Sequence, residues 1–203
     1  MPTMLEICEL FNGCGCEDYD IRHLVKNNLP TDCHHDYGET RHVIWADGWD
    51  FVLKIPRYGY TSCDYCEIEM EHYESAKVFG VEQICLPIEL VYTTDTGIKI
   101  YKQPRYTFNT RAGRENGHKE YLIRRNIPVR TPNRILNKIK CATYDGYRID
   151  DYWMARVLQL YGKKFCRSFE KWVSTNGIND LHACNTGWLN KKPVLLDYAG
   201  YHE

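Results

Sequence analysis

Apolar and polar positions change rhythm several times along the chain. Residues 49–56, WDFVLKIP, alternate in strand fashion, and residues 41–45, RHVIW, read as a neighbouring strand. Residues 64–79 read as a helix that is acidic at its start, where the helix dipole favours negative charge. Two more β-rich runs, 86–92 and 98–101, flank Asp95, Thr96 and Gly97, a turn sequence that predicts a hairpin. The second half of the chain changes to helical spacing over 134–140, 150–160 and 164–174. Trp153, Val157 and Leu160 share one face of the middle segment, and Phe165, Phe169, Trp172 and Val173 one face of the last. Such stripes are core. Gly162 and Gly177 punctuate the helix ends. An apolar run over 193–196 then predicts a buried strand. The pattern describes an α+β protein with a sheet-rich first half and a helical second half.

At 203 residues the chain can bury one good core or two small lobes. No apolar run approaches the ~20 residues of a membrane span, and the N-terminus lacks a signal-peptide pattern. A cytoplasmic protein of a bacterium or an infected host cell is expected, so the ten cysteines read as reduced thiols. Cys63 and Cys66 have metal-ligand spacing, and Cys14 and Cys16 could supply a second pair. A lone C-x-x-C is a weak signal, and buried thiols are the simpler reading. Cys33, His34 and His35 read as a loop. The net charge is −1, but residues 99–140 hold twelve Lys and Arg against two Glu. Such asymmetry is either a solvated face or a basic surface for an acidic partner, a phosphorylated ligand or nucleic acid. No recognised nucleic-acid motif accompanies it.

The chemistry concentrates near the C-terminal end. Residues 179–185 read NDLHACN and residues 194–200 read VLLDYAG. Asp180, Asn185 five positions later, and Asp197 at the end of an apolar run supply hard oxygen donors and a carboxylate base. This constellation resembles the protein-kinase-like superfamily. It is most similar to small bacterial or phage kinase-like proteins and to the truncated kinases some pathogens use as effectors. The resemblance implies that Asp180 accepts the acceptor hydroxyl's proton and that Asn185 and Asp197 hold Mg²⁺ against ATP. His182 stands near the place of the catalytic-loop Lys and could act so only when protonated. Ile178 and Asn179 replace the family's His-Arg, so control by an activation-loop phosphate is not expected. Tyr198, Ala199 and Gly200 replace Phe-Gly.

Upstream, the resemblance implies that Lys54 contacts the α/β-phosphates and is held by a helix glutamate. Glu69 is the first choice and Glu71 the second, with Glu67 and Glu74 on the same helix. The Gly-x-Gly-x-x-Gly motif is absent. Gly38, within DYGET at 36–40, is the only glycine in the expected phosphate-covering turn. Residues 102–104 fall where the hinge should be, and the Gln103 backbone would bind adenine. The implied fold is a two-lobed kinase-like one. An N-terminal helical extension (1–30) precedes a small antiparallel-sheet N-lobe with one Glu-bearing helix (31–103). A truncated, mainly helical C-lobe (104–203) follows. Lys54 and Asp197 would face each other across the cleft. The sequence ends soon after Gly200, so the usual peptide platform is not expected. The acceptor is then a protein Ser/Thr or a small molecule. The rival is a pseudokinase-type module that captures a partner protein.

Overall fold

The computed structural model describes residues 1–105, 149, 151–181 and 185–200. The helix expected over 134–140 and most of the basic 99–140 stretch lie outside the described residues. The chain divides into two compact units. Unit one comprises Met1–Met70 and Pro87–Arg105. Unit two comprises Glu71–Leu86 with the described residues after position 105.

Unit one is built on a five-stranded antiparallel sheet in the order β1-β2-β3-β5-β4. Its strands are β1 (Cys33–Tyr37), β2 (Arg41–Ala46), β3 (Phe51–Pro56), β4 (Glu89–Thr93) and β5 (Lys99–Pro104). Register fixes the faces, because successive side chains point to opposite sides. Ile44 pairs with Leu53, and Val43 pairs with Lys54, which in turn pairs with Tyr101. Ile44, Leu53, Ile55 and Ile100 therefore share one face. That face is buried against Ile7, Cys8 and Phe11 near α1 (Met4–Glu9) and Ile21 and Val25 of α2 (Asp18–Asn28). Each fully buried side chain of this kind contributes about 1.5–3 kcal/mol. Side chains of both N-terminal helices thus belong to the sheet's core. A capping box between Thr3 and Glu6 starts α1, and the Cys14–Cys16 segment is the loop between the two helices.

One sequence expectation changes here. His34 and His35 lie in β1, not in a loop. Nothing in CHHDY alternates by hydropathy; the ladder with β2 makes this edge segment a strand. Residues 102–104 form the end of β5, paired with Phe51, Val52 and Leu53.

Helix α3 (Tyr65–Phe79) follows β3. Asp64 starts it: its Oδ1 accepts from the backbone N–H groups of Cys66 (2.9 Å) and Glu67 (3.1 Å). Its Oδ2 accepts from the Tyr101 hydroxyl at 2.7 Å.

Unit two contains α4 (Asp151–Thr175), broken at Gly162, where φ is 78°. Trp153, Val157, Phe169, Trp172 and Val173 lie in one buried cluster with Val81, Ile84, Leu195 and Tyr198. Leu160 is exposed instead, because the buried stripe takes in Met154 and the break at Gly162 follows at once. The unit's described residues also include a hairpin of β6 (Thr186–Leu189) and β7 (Lys192–Leu195). The Trp153 indole N–H donates to the Gly187 carbonyl of that hairpin at 3.2 Å.

Candidate functional site

Lys54 sits on β3, a central strand, and is buried with 5 % exposure. Its Nζ donates to Glu69 Oε1 at 3.2 Å and to Oε2 at 3.0 Å. Glu69 lies one turn into α3 and has no exposed surface. Two further groups converge on the same carboxylate. Arg41 Nη1, from the first residue of β2, donates to Oε2, and Gln103 Nε2, from β5, donates to Oε1 at 2.9 Å. A buried carboxylate is tolerated only where its charge and lone pairs are met, and here three donors meet them. The other helix carboxylates face outward. Glu71 is exposed, Glu67 pairs with Lys99 at 2.9 Å, and Glu74 pairs with Lys77.

The sheet face that carries Lys54 also carries Val43, Trp45 and Val52, all half-buried. Together they make an apolar slab beside a pair of cations. Gln103 shares that face, and its side chain is committed to Glu69.

The turn expected to cover phosphates is arranged differently. The Gly38 N–H donates to the Arg41 carbonyl at 3.0 Å. The Gly38 and Glu39 carbonyls accept from Arg57 Nη1 at 2.8 and 3.1 Å. Gly38 thus has its own backbone groups engaged within the turn and lies outside the Lys54–Glu69 cluster. Arg57 also grips Asp18 of α2 through Nε (2.8 Å) and Nη2 (3.2 Å). Asp18 Oδ1 further bonds His42 Nε2 at 2.9 Å, and His42 Nδ1 bonds His35 Nε2 at 3.0 Å. Burial pushes His42 down to about 4, against the opposing pull of Asp18. Burial works to raise the Asp18 carboxyl, but hydrogen bonds from Arg57 and His42 outweigh it and leave it lowered.

In unit two, β6 and β7 bring the second constellation together. Asn185 Nδ2 donates to the Asp180 carbonyl at 2.7 Å and to Asp180 Oδ2 at 3.2 Å. The Leu196 N–H donates to the Asn185 carbonyl at 2.9 Å, which fixes the strand end immediately before Asp197. Asp180, Asn185 and Asp197 are all half-buried. Tyr198 is buried, its hydroxyl donating to the Leu86 carbonyl at 2.6 Å and its carbonyl bonding His72 Nδ1 at 2.8 Å. Gly200 has φ 78°, and a Cβ there would stand 3.0 Å from Asn179 Oδ1. Glycine at that position lets the segment after Asp197 lie against the loop before Asp180. His182 lies outside the described residues.

The Asn185 amide nitrogen is committed to Asp180, so Oδ1 is the atom it could offer a cation. One carboxylate and one amide oxygen suit Mg²⁺, which takes one or two protein oxygens together with substrate phosphates. Among the described residues, no group of three or more His, Cys, Asp or Glu side chains is placed to hold a metal ion. Cys66 is fully buried in α3 and its thiol is pushed up to about 12 by burial, the behaviour of an inert core thiol.

Sequence reasoning missed Arg41, Asp18 and Arg57. Arg41 had one usable signal: it stands two residues before Val43, so strand alternation puts it on the Lys54 face. The chain matches no protein-family model, no curated protein and no solved structure. No helix among the described residues is long and apolar enough to cross a membrane.

Proposed function

We propose that this chain is a kinase-like, ATP- and Mg²⁺-dependent phosphotransferase acting on an alcohol group. The observation that carries the proposal is the buried Lys54–Glu69 pair, which joins a central strand to the helix that follows it. A lysine held this way is fixed in position, which suits a contact to nucleotide phosphates. The half-buried Val43 and Val52 on the same face offer apolar surface to a base. In unit two, Asn185 bonds the Asp180 carboxylate, and on this reading that carboxylate accepts the hydroxyl proton. Asn185 Oδ1 and the Asp197 carboxylate are the oxygens for the metal. Bound Mg²⁺ would supply charge neutralisation at the transferring phosphoryl group. The acceptor is a protein Ser/Thr or a small molecule, and the cations over 99–140 suit an acidic one.

Mg-ATP should raise the melting temperature of the wild type by mass action. Asp180→Asn should keep that shift and lose phosphoryl transfer by several orders of magnitude, on the scale of removing a principal catalytic group. Asp197→Ala should lose transfer as well as the magnesium dependence of the shift. A wild type indifferent to millimolar Mg-ATP would refute the proposal.

One observation favours the second reading, a pseudokinase-type module that captures a partner protein. The Gly38 turn has its own amide and carbonyl engaged, so it gives a phosphate little backbone to bind. Under that reading Mg-ATP produces a shift while Asp180→Asn and wild type show equal, negligible turnover.

A further inference from the structure

Arg41 and Lys54 reach the same oxygen, Glu69 Oε2. Their charges therefore lie within about 6 Å of each other, two hydrogen-bond lengths. Both are buried, at 4 % and 5 % exposure, so their mutual repulsion is poorly screened. Glu69 bonds both of these like charges on one sheet face. Arg41 also follows directly on the turn over residues 38–40, and its Nε donates to Thr40 Oγ1 at 3.1 Å. That turn engages the Gly38 amide with Arg41's own carbonyl.

We infer that Arg41 is a second phosphate-binding cation, and that this chain recognises a linear polyphosphate with a pair of side-chain charges in place of a glycine-rich backbone cradle. The inference rests on the nucleotide-binding reading and adds a selectivity to it. A guanidinium presents a planar fork of donors that matches two phosphate oxygens, which an ammonium cannot do. Binding would draw the Arg41 fork from Glu69 to the phosphates and leave Glu69 to Lys54 and Gln103. The like-charge contact would be relieved at the same moment. Because Arg41 and Lys54 are two separate anchors, a chain of phosphates can satisfy both while one phosphate cannot. Affinity should therefore climb with phosphate number.

Calorimetric titration of wild type, Arg41→Met and Arg41→Lys with AMP, Mg-ADP, Mg-ATP and inorganic tripolyphosphate tests this. Arg41→Met leaves Glu69 paired with Lys54, so it should fold, and its melting temperature verifies that. Wild type should bind more tightly from AMP to ADP to ATP. Arg41→Met should lose roughly ten- to hundredfold on ATP and tripolyphosphate, the size of a charge-assisted contact, with little change on AMP. Arg41→Lys should fall between. If wild type and Arg41→Met bind ATP equally, the inference is overturned and the nucleotide reading stands. If wild type binds tripolyphosphate through Arg41 but no nucleotide, the nucleotide reading fails and the cation pair stands. Binding of none of the four probes overturns both.

Discussion

At the scale of single residues, the chemistry of unit one turns on which carboxylate of α3 is taken out of water. Four glutamates on that helix could have faced Lys54, and only Glu69 is buried. The rest find water or exposed partners, where an ion pair is worth little. Removing the buried charge leaves Arg41 and Lys54 close together without the carboxylate that separates them. Glu69→Gln should therefore destabilise the protein by about 3–5 kcal/mol, the usual cost of breaking a buried pair. Glu71→Gln, at an exposed position, should stay within about 0.5 kcal/mol of wild type. Urea unfolding of the two variants separates these outcomes, and equal midpoints would remove the cluster from the account of stability. The Lys54–Glu69 contact was legible through the resemblance, which implies a lysine on that strand and a partner glutamate on the helix after it. Arg41 was not, because an arginine beside a turn has the signature of a solvated side chain. Its burial depends on a helix that lies 28 residues away in sequence.

At the scale of elements, legibility followed the strength of local pattern. β3 and both halves of α4 carry hydrophobic periods of their own and α3 an acidic start, and each sits where that signal placed it, with Gly162 at the break. β1 has no period and owes its form to the ladder with β2. Lys102, Gln103 and Pro104 at the end of β5 are poor strand formers, yet pairing with β3 holds them in the sheet. The β6–β7 turn was equally silent. Asn190 and Lys191 both have positive φ, at 49° and 66°, the pattern of a type I′ hairpin turn. A lysine is strained there by about 1–2 kcal/mol, and glycine is the preferred second residue. Part of that gain is returned as glycine's extra unfolded-state entropy. Lys191→Gly should therefore stabilise the protein by about 0.5–1 kcal/mol. It should leave Mg-ATP binding unchanged, because the turn sits at the far end of the hairpin from Asn185 and Leu196. A lower denaturation midpoint for this variant would show that the lysine makes a contact outweighing its strain.

For the whole molecule, the N-terminal helices make folding sensitive to mild acid. Asp18 at the start of α2 is held by Arg57, which also pins the Gly38 turn, and by His42, which lies on β2 with no exposed surface. His42 is kept neutral by burial, and its pKa of about 4 lies below the ordinary value of 6.5. His35, bonded to it, is lowered for the same reason. Between those two values the unfolded chain binds more protons than the folded one, so stability must fall as pH falls. The contribution is fully present above pH ~6.5 and is lost as pH drops toward ~4, a change on the order of 3 kcal/mol for His42. Asp18, lowered in the folded state, adds a loss of the same sign only below its ordinary value of 3.8. The first acid destabilisation should therefore appear well before carboxylates titrate. The melting temperature should be level above pH 7 and decline steadily from pH 6.5 to 4. In His42→Gln, which keeps a hydrogen-bond donor toward Asp18 but cannot gain a proton, most of that slope should vanish, leaving the smaller part due to His35. A wild-type melting temperature that is flat from pH 7 to 5, or a slope unchanged in His42→Gln, would show that His42 does not carry this pH dependence.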